Sequence, residues 1–146
     1  MQSEEQSQVR RASATDENQK IDQEIKDNLK SYTGSDYEVI DERISELDKE
    51  WDIERTLELN AASLALTGTL LGLVVDKRWL AVPIIVGSFL MQHAIQGWCP
   101  PLPILRKLGF RTRSEIDKEK FALKALRGDF RRTVNSPNKA WDAVKH

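Results

Sequence analysis

The chain has 146 residues, with 22 Lys/Arg against 23 Asp/Glu and a formal net charge of −1. That length suits one domain with a tail, and the charge balance points to no polyanionic partner. A single cysteine excludes an internal disulfide. The distribution of charge says more than its total. Residues 1–58 hold 8 bases and 17 acids, residues 59–98 hold two bases and one acid, and residues 99–146 hold 12 bases and 5 acids.

Residues 1–20 are polar and read as a disordered tail, with no apolar core for a signal peptide. Residues 21–58 read as an acidic helical region. Ile21, Ile25 and Leu29 recur at i, i+4 and predict a short helix ending near Tyr32-Thr33-Gly34. Ser35 and Glu38 have the spacing of a capping box. Ile40, Ile44, Leu47 and Trp51 then fall on one helix face. No breaker follows, so this helix is expected to run on into the next, apolar stretch.

Residues 59–98 contain two uncharged runs, the first of 17 residues between Glu58 and Asp76. A spanning helix needs about 20 mostly apolar residues, within a range of roughly 17–25. The segments 57–75 and 79–98 are therefore predicted spans, and Trp79 and Trp98 sit where interface tryptophans belong. The connection Asp76-Lys77-Arg78 is short enough to make the spans antiparallel neighbours. The predicted fold class is an all-α membrane protein, a two-span antiparallel helical hairpin with a cytoplasmic amphipathic helix on each side. A soluble helical bundle is the alternative, but neither run shows the charged stripe of a bundle's surface helix. Arg43, Lys49 and Arg55 before the spans, and Arg106, Lys107, Arg111 and Arg113 after them, outnumber Lys77 and Arg78 in the loop. The positive-inside rule then places both termini in the cytoplasm. Ala61, Ala65, Gly68 and Gly72 form a small-residue stripe in the first span. Such a stripe lets helices approach closely, either the second span of the same chain or a second copy in a homodimer.

Residues 99–131 form a basic juxtamembrane helical region. Pro100, Pro101 and Pro103 are expected to stop the second span, and Ile104–Phe110 to make a short helical turn. Ser114 is the predicted cap of a further helix with Ile116, Leu123, Leu126 and Phe130 along one face and Gly128 as its stop. Arg106, Lys107, Arg111 and Arg113 are candidates for contact with anionic lipid or with the acidic 36–54 helix, and charge complementarity favours the helix. Residues 132–146 read as a loose tail.

Candidate chemistry is sparse. The chain has two histidines and one cysteine, too few for a zinc site, which takes three or four protein ligands, and no metal or cofactor is expected. No phosphate loop, HExxH or nucleophile elbow is present, so no catalytic residue is assigned and an enzyme is not expected. Nucleic acid is not an expected partner, because the acidic region repels phosphate. Cys99, one residue past Trp98 and close to several bases, is a candidate reactive thiol, since nearby cations favour the thiolate. The other reading is a buried packing residue.

Glu54-Arg55 before the first run, Gly97-Trp98-Cys99-Pro100 at the exit of the second and Leu108-Gly109 soon after resemble the YgaP-like inner-membrane transmembrane domain family over about residues 40–130. This is a bacterial domain of unknown function, associated with a rhodanese in its named member. The resemblance implies an inner-membrane location and helix-mediated dimerisation. It implies no sulfurtransferase activity, because no rhodanese domain is present, and Cys99 matches the membrane-domain cysteine. The expected function is a membrane anchor or interaction scaffold, embedded in the lipid bilayer, with a dimer partner and an unidentified protein partner. The alternatives are a sulfur-relay or redox accessory using Cys99, and a soluble helical-bundle interaction module.

Overall fold

The structure, a computed structural model, describes residues 8–132 and 136–145. All regular secondary structure among them is helical. Residues 8–12 are helical and are followed by α1 (Thr15–Ser31), α2 (Tyr37–Lys49) and α3 (Ile53–Val74). A 3-10 turn (Lys77–Leu80) leads into α4 (Ala81–Gln96), the short α5 (Leu102–Lys107) and α6 (Arg113–Arg127). A second 3-10 turn (Asp129–Arg132) and α7 (Pro137–Lys145) complete the order. The chain divides into two units. One joins residues up to 19 with Trp51–Arg113, and the other joins Lys20–Glu50 with residues from Ser114 onward. Packing therefore cuts across the segments expected from charge, because 51–58 and 99–113 join the apolar helices.

In the first unit, α3 and α4 are long and apolar enough to cross a membrane, α4 together with its leading 3-10 turn. At 1.5 Å per residue, the 22 residues of α3 span about 33 Å. Their residue pairs meet in opposite order. Gly68 lies against Val82 and Pro83, and Gly72 against Leu80. A Cβ on Gly68 would stand 2.7 Å from Val82 Cβ and 2.9 Å from Pro83 Cδ, so the two backbones need the glycine to come this close. Two hydroxyls inside these helices bond to their own helix. Thr69 Oγ1 donates to Ala65 O at 2.7 Å and Ser88 Oγ to Ile84 O at 2.8 Å, each within its own helix.

The expected continuous helix from the acidic region into the first apolar run is broken at residues 50–52. Glu50 and Asp52 are extended, with ψ of 137° and 166°. Asp52 starts a new helix by accepting the Arg55 N–H on its side chain at 2.8 Å, a standard N-cap bond. The Ile53 N–H, which has no partner within α3, donates to Arg111 O at 3.0 Å. At the same end of the pair, α4 stops before the prolines are reached. Gly97 takes φ +72° and its N–H donates to His93 O at 2.7 Å, a left-handed C-cap. A Cβ there would also strike the backbone of Gln8 and Val9, so the helical segment 8–12 passes directly over Gly97. Val9, Ile53, Leu57, Cys99, Leu102 and Leu105 form the buried core beneath this crossing, with Ala12 and Phe110 packed on it.

In the second unit Ile40, Ile44 and Leu47 of α2 pack on Ile116 and Leu123 of α6, flanked by Leu29 and Tyr32. The expected docking of the basic helix on the acidic one is thus present in the structure. Leu126 of the expected apolar face is exposed instead. Three local expectations are corrected. The N-cap of α2 is Asp36, whose side chain makes no capping bond, so the Ser35/Glu38 box does not form. Helix α6 begins at Arg113, which places Ser114 inside it, although Gly128 ends it as expected with φ +91°. The expected disordered and loose tails contain helix at 8–12, in α1 from Thr15 and in α7. Pro137 at the first position of α7 fits a helix start. Residues 1–7, 133–135 and 146 of those tails lie outside the described residues.

The glycine contacts differ in how far their neighbours can yield. Val82 Cβ and the Pro83 ring are stiff, whereas Gly72 faces mainly the flexible tip of Leu80. Gly68→Ala is expected to destabilise the helix pair by about 1–3 kcal/mol, and Gly72→Ala by less. Thermal unfolding of the two variants in detergent, followed by circular dichroism, measures the difference; equal costs would contradict this packing.

Candidate functional site at the foot of the apolar helices

The N-terminal end of α3 and the C-terminal end of α4 lie together, and a groove of about 800 Å³ opens between them. Its inner wall is apolar, built by Leu64 of α3 with Ile85 and Phe89 of α4. Its mouth is ionic, with Arg55 and Glu58 one turn apart on α3 and Arg113 nearby. The Arg113 N–H donates to Glu54 Oε2 at 3.4 Å. The Arg55 guanidinium lies 4.8 Å from the Trp51 ring centroid, a cation–π distance. His93 and Cys99 also line the groove. Arg55 and Glu58 share this face through their i, i+3 spacing on α3, and the sequence reading did not single them out as a pair because the groove forms only where α3 and α4 come together.

Cys99 belongs to the core at this foot, 4% exposed. Burial pushes its thiol above the ordinary cysteine value, opposed only in part by a hydrogen bond from the Leu102 backbone. The nearby bases do not offset this. Arg106 is buried, its guanidinium bonded to Asn18 Oδ1 and to Phe110 O. Arg111 is buried as well, and its carbonyl holds the start of α3. The neutral thiol is therefore the favoured form, and it is the less reactive one.

The small-residue stripe lies on one face of α3. Gly68 and Gly72 are buried against the 80–83 segment, and Ala61 and Ala65 are half-buried. The face is occupied within the chain. Trp79 and Trp98 are partly exposed and lie just beyond opposite ends of α4. Of the four bases expected to touch lipid or the acidic helix, only Lys107 and Arg113 keep appreciable exposure.

The contacts with the acidic helix come from residues further along. Lys120 pairs with Asp48, and Arg127 with Asp41 and Asp129. Glu119 is fully buried and accepts from Arg43 Nη2 at 3.0 Å, from Arg43 Nε at 3.2 Å and from Asn28 Nδ2 at 3.3 Å. Lys124 is also fully buried, with Nζ donating to Ala143 O at 3.2 Å. Burial, with Lys120 close by, pushes its ammonium below the ordinary lysine value. Sequence patterning reads such charges as solvated, and no single-residue signal marked them as interior. No group of three or more His, Cys, Asp or Glu placed to hold a metal occurs among the described residues.

Three outcomes follow from this geometry. Cys99 in the native chain should react with iodoacetamide at least about tenfold more slowly than in urea, because burial and a raised thiol value both lower the thiolate supply; equal rates would contradict the burial. Arg43→Met leaves the Glu119 carboxylate in the interior with reduced compensation, and should cost about 3 kcal/mol in urea unfolding. For Lys124 the sign follows from a folded-state value below the unfolded one. The unfolded chain then binds more protons as pH approaches about 10, so this residue adds stability as pH rises toward the ordinary lysine value. Lys124→Met should remove that rise, measured by urea unfolding between neutral and alkaline pH. Compared with known proteins, the chain matches no family model, no curated protein and no solved structure.

Proposed function

We propose that this chain is a small integral protein of a bacterial inner membrane, with α3 and α4 as its two spans and both termini in the cytoplasm, acting as an anchor or interaction scaffold. The observation that carries the reading is the exposure of the two apolar helices. No residue of α4 is buried, and α3 buries only Ile53, Leu57, Gly68 and Gly72. Leu66, Leu70, Leu73, Ile84, Met91 and Ile95 all face away from the chain. Core helices of a soluble bundle would cover such side chains, and leaving them in water forfeits roughly 1.5–3 kcal/mol each. A hydrocarbon surround removes that cost.

The balance of flanking bases supports cytoplasmic termini, and the likeness to the YgaP-like domain, which rests on the residues themselves, supports an inner-membrane location. The second unit, held by its own core and ion pairs, is the part offered to a protein partner. Self-association through α3 would use the outward Leu66, Leu70 and Leu73, since the glycine face is filled by α4. For Cys99 the buried thiol favours packing over a sulfur relay.

Extraction of membranes with alkaline carbonate tests the reading. The chain should stay with the bilayer, and tags at both ends should resist protease added outside spheroplasts. Recovery in the soluble fraction would overturn the membrane assignment, and digestion of either tag would overturn the orientation.

A further inference from the structure

We propose that the groove at the foot of α3 and α4 binds a phospholipid whose headgroup carries both a phosphate and a primary ammonium. The inference rests on the membrane reading above, which sets the apolar wall in hydrocarbon and the ionic mouth at the headgroups. The groove, about 800 Å³, lies within the range of ligand sites, roughly 300–1,000 Å³. It runs along α3 from Arg55 to Leu64, nine residues and about 14 Å of helix. One end can therefore meet a headgroup while the other meets acyl chain.

The mouth decides the headgroup. Arg55 and Glu58 are both exposed there, at i, i+3 on one helix face. They present one cation and one carboxylate side by side. Stacking on Trp51 holds the Arg55 guanidinium at this edge, where its planar donors suit a phosphate. Glu58 suits an ammonium. The groove lining holds Asp52, Glu54 and Glu58 against Arg55 and Arg113, so carboxylates outnumber guanidinium groups there, and a headgroup with phosphate alone would bring no cation to Glu58. A zwitterionic lipid with a primary amine satisfies both members of the pair.

Native mass spectrometry of the full chain in mild detergent, with equal amounts of phosphatidylethanolamine and phosphatidylglycerol of the same acyl chains, tests this. Phosphatidylethanolamine should be retained at least about fivefold more. Arg55→Gln should lower its retention about tenfold, in line with loss of a charge-assisted hydrogen bond. Glu58→Gln should abolish the preference between the two lipids. Ala61→Leu, which fills the groove without touching its charges, should lower retention of both. Circular dichroism verifies that each variant is folded. Equal retention by the native chain, a preference for phosphatidylglycerol, or retention unchanged in all three variants would overturn the proposal. Carbonate extraction separates the two failures. A chain that leaves the membrane refutes the membrane reading, whereas one that stays but shows no lipid preference refutes only the groove.

Discussion

Leu66, Leu70 and Leu73 on α3, and Ile84, Met91 and Ile95 on α4, point away from every other described residue group that could cover them. Apolar surface of this extent is stable only where its surroundings are apolar too. In the proposed hydrocarbon setting the hydrophobic effect would not hold the two helices together, and close packing would have to do it. Gly68 and Gly72 provide that packing, because each lets the 80–83 segment approach to a distance that a Cβ would forbid. The outward leucines and the inward glycines are two consequences of one requirement.

The foot of the pair solves a different problem. A helix that starts at an interface exposes N–H groups that its own turns cannot satisfy. Asp52 accepts one of them, and Arg111 O accepts another. The chain leaving α4 must also turn sharply, which Gly97 permits by taking a positive φ. The absence of a Cβ at Gly97 also leaves room for the helical segment 8–12 to cross the junction, where Val9 joins the core around Cys99. The burial of Cys99 and of Arg106 both belong to this local geometry. In the second unit the same economy applies to charge: Glu119 sits in the interior because Arg43 and Asn28 reach it from neighbouring helices.

Much of the helical layout was legible in the sequence. The two apolar runs, the i, i+4 face of Ile40 and Ile44, the complementary charge of α2 and α6, and the stop at Gly128 all rest on short-range periodicity or on glycine's backbone freedom. The break at residues 50–52 was not legible. Asp52 caps α3 without a Glu or Gln three residues on, and its helix is anchored by Arg111, far away in sequence. The Ser35/Glu38 spacing failed for the converse reason, since the helix starts after Asp36. The groove escaped notice because its wall depends on the pairing of two helices and its mouth on segments distant in sequence. The assignment of Arg106 and Arg111 to a surface failed because charge alone does not reveal that Asn18 and the α3 N-terminus lie beside them.

The central claim is that the outward faces of α3 and α4 contact lipid. Single spin labels at Leu66, Leu73, Ile84 and Met91, in a Cys99→Ser chain reconstituted into vesicles, report this through collisions with oxygen and with a water-soluble nickel chelate. High oxygen and low nickel accessibility at all four positions is the expected result. Nickel access at these sites, or protection from both reagents by surrounding protein, would contradict the account.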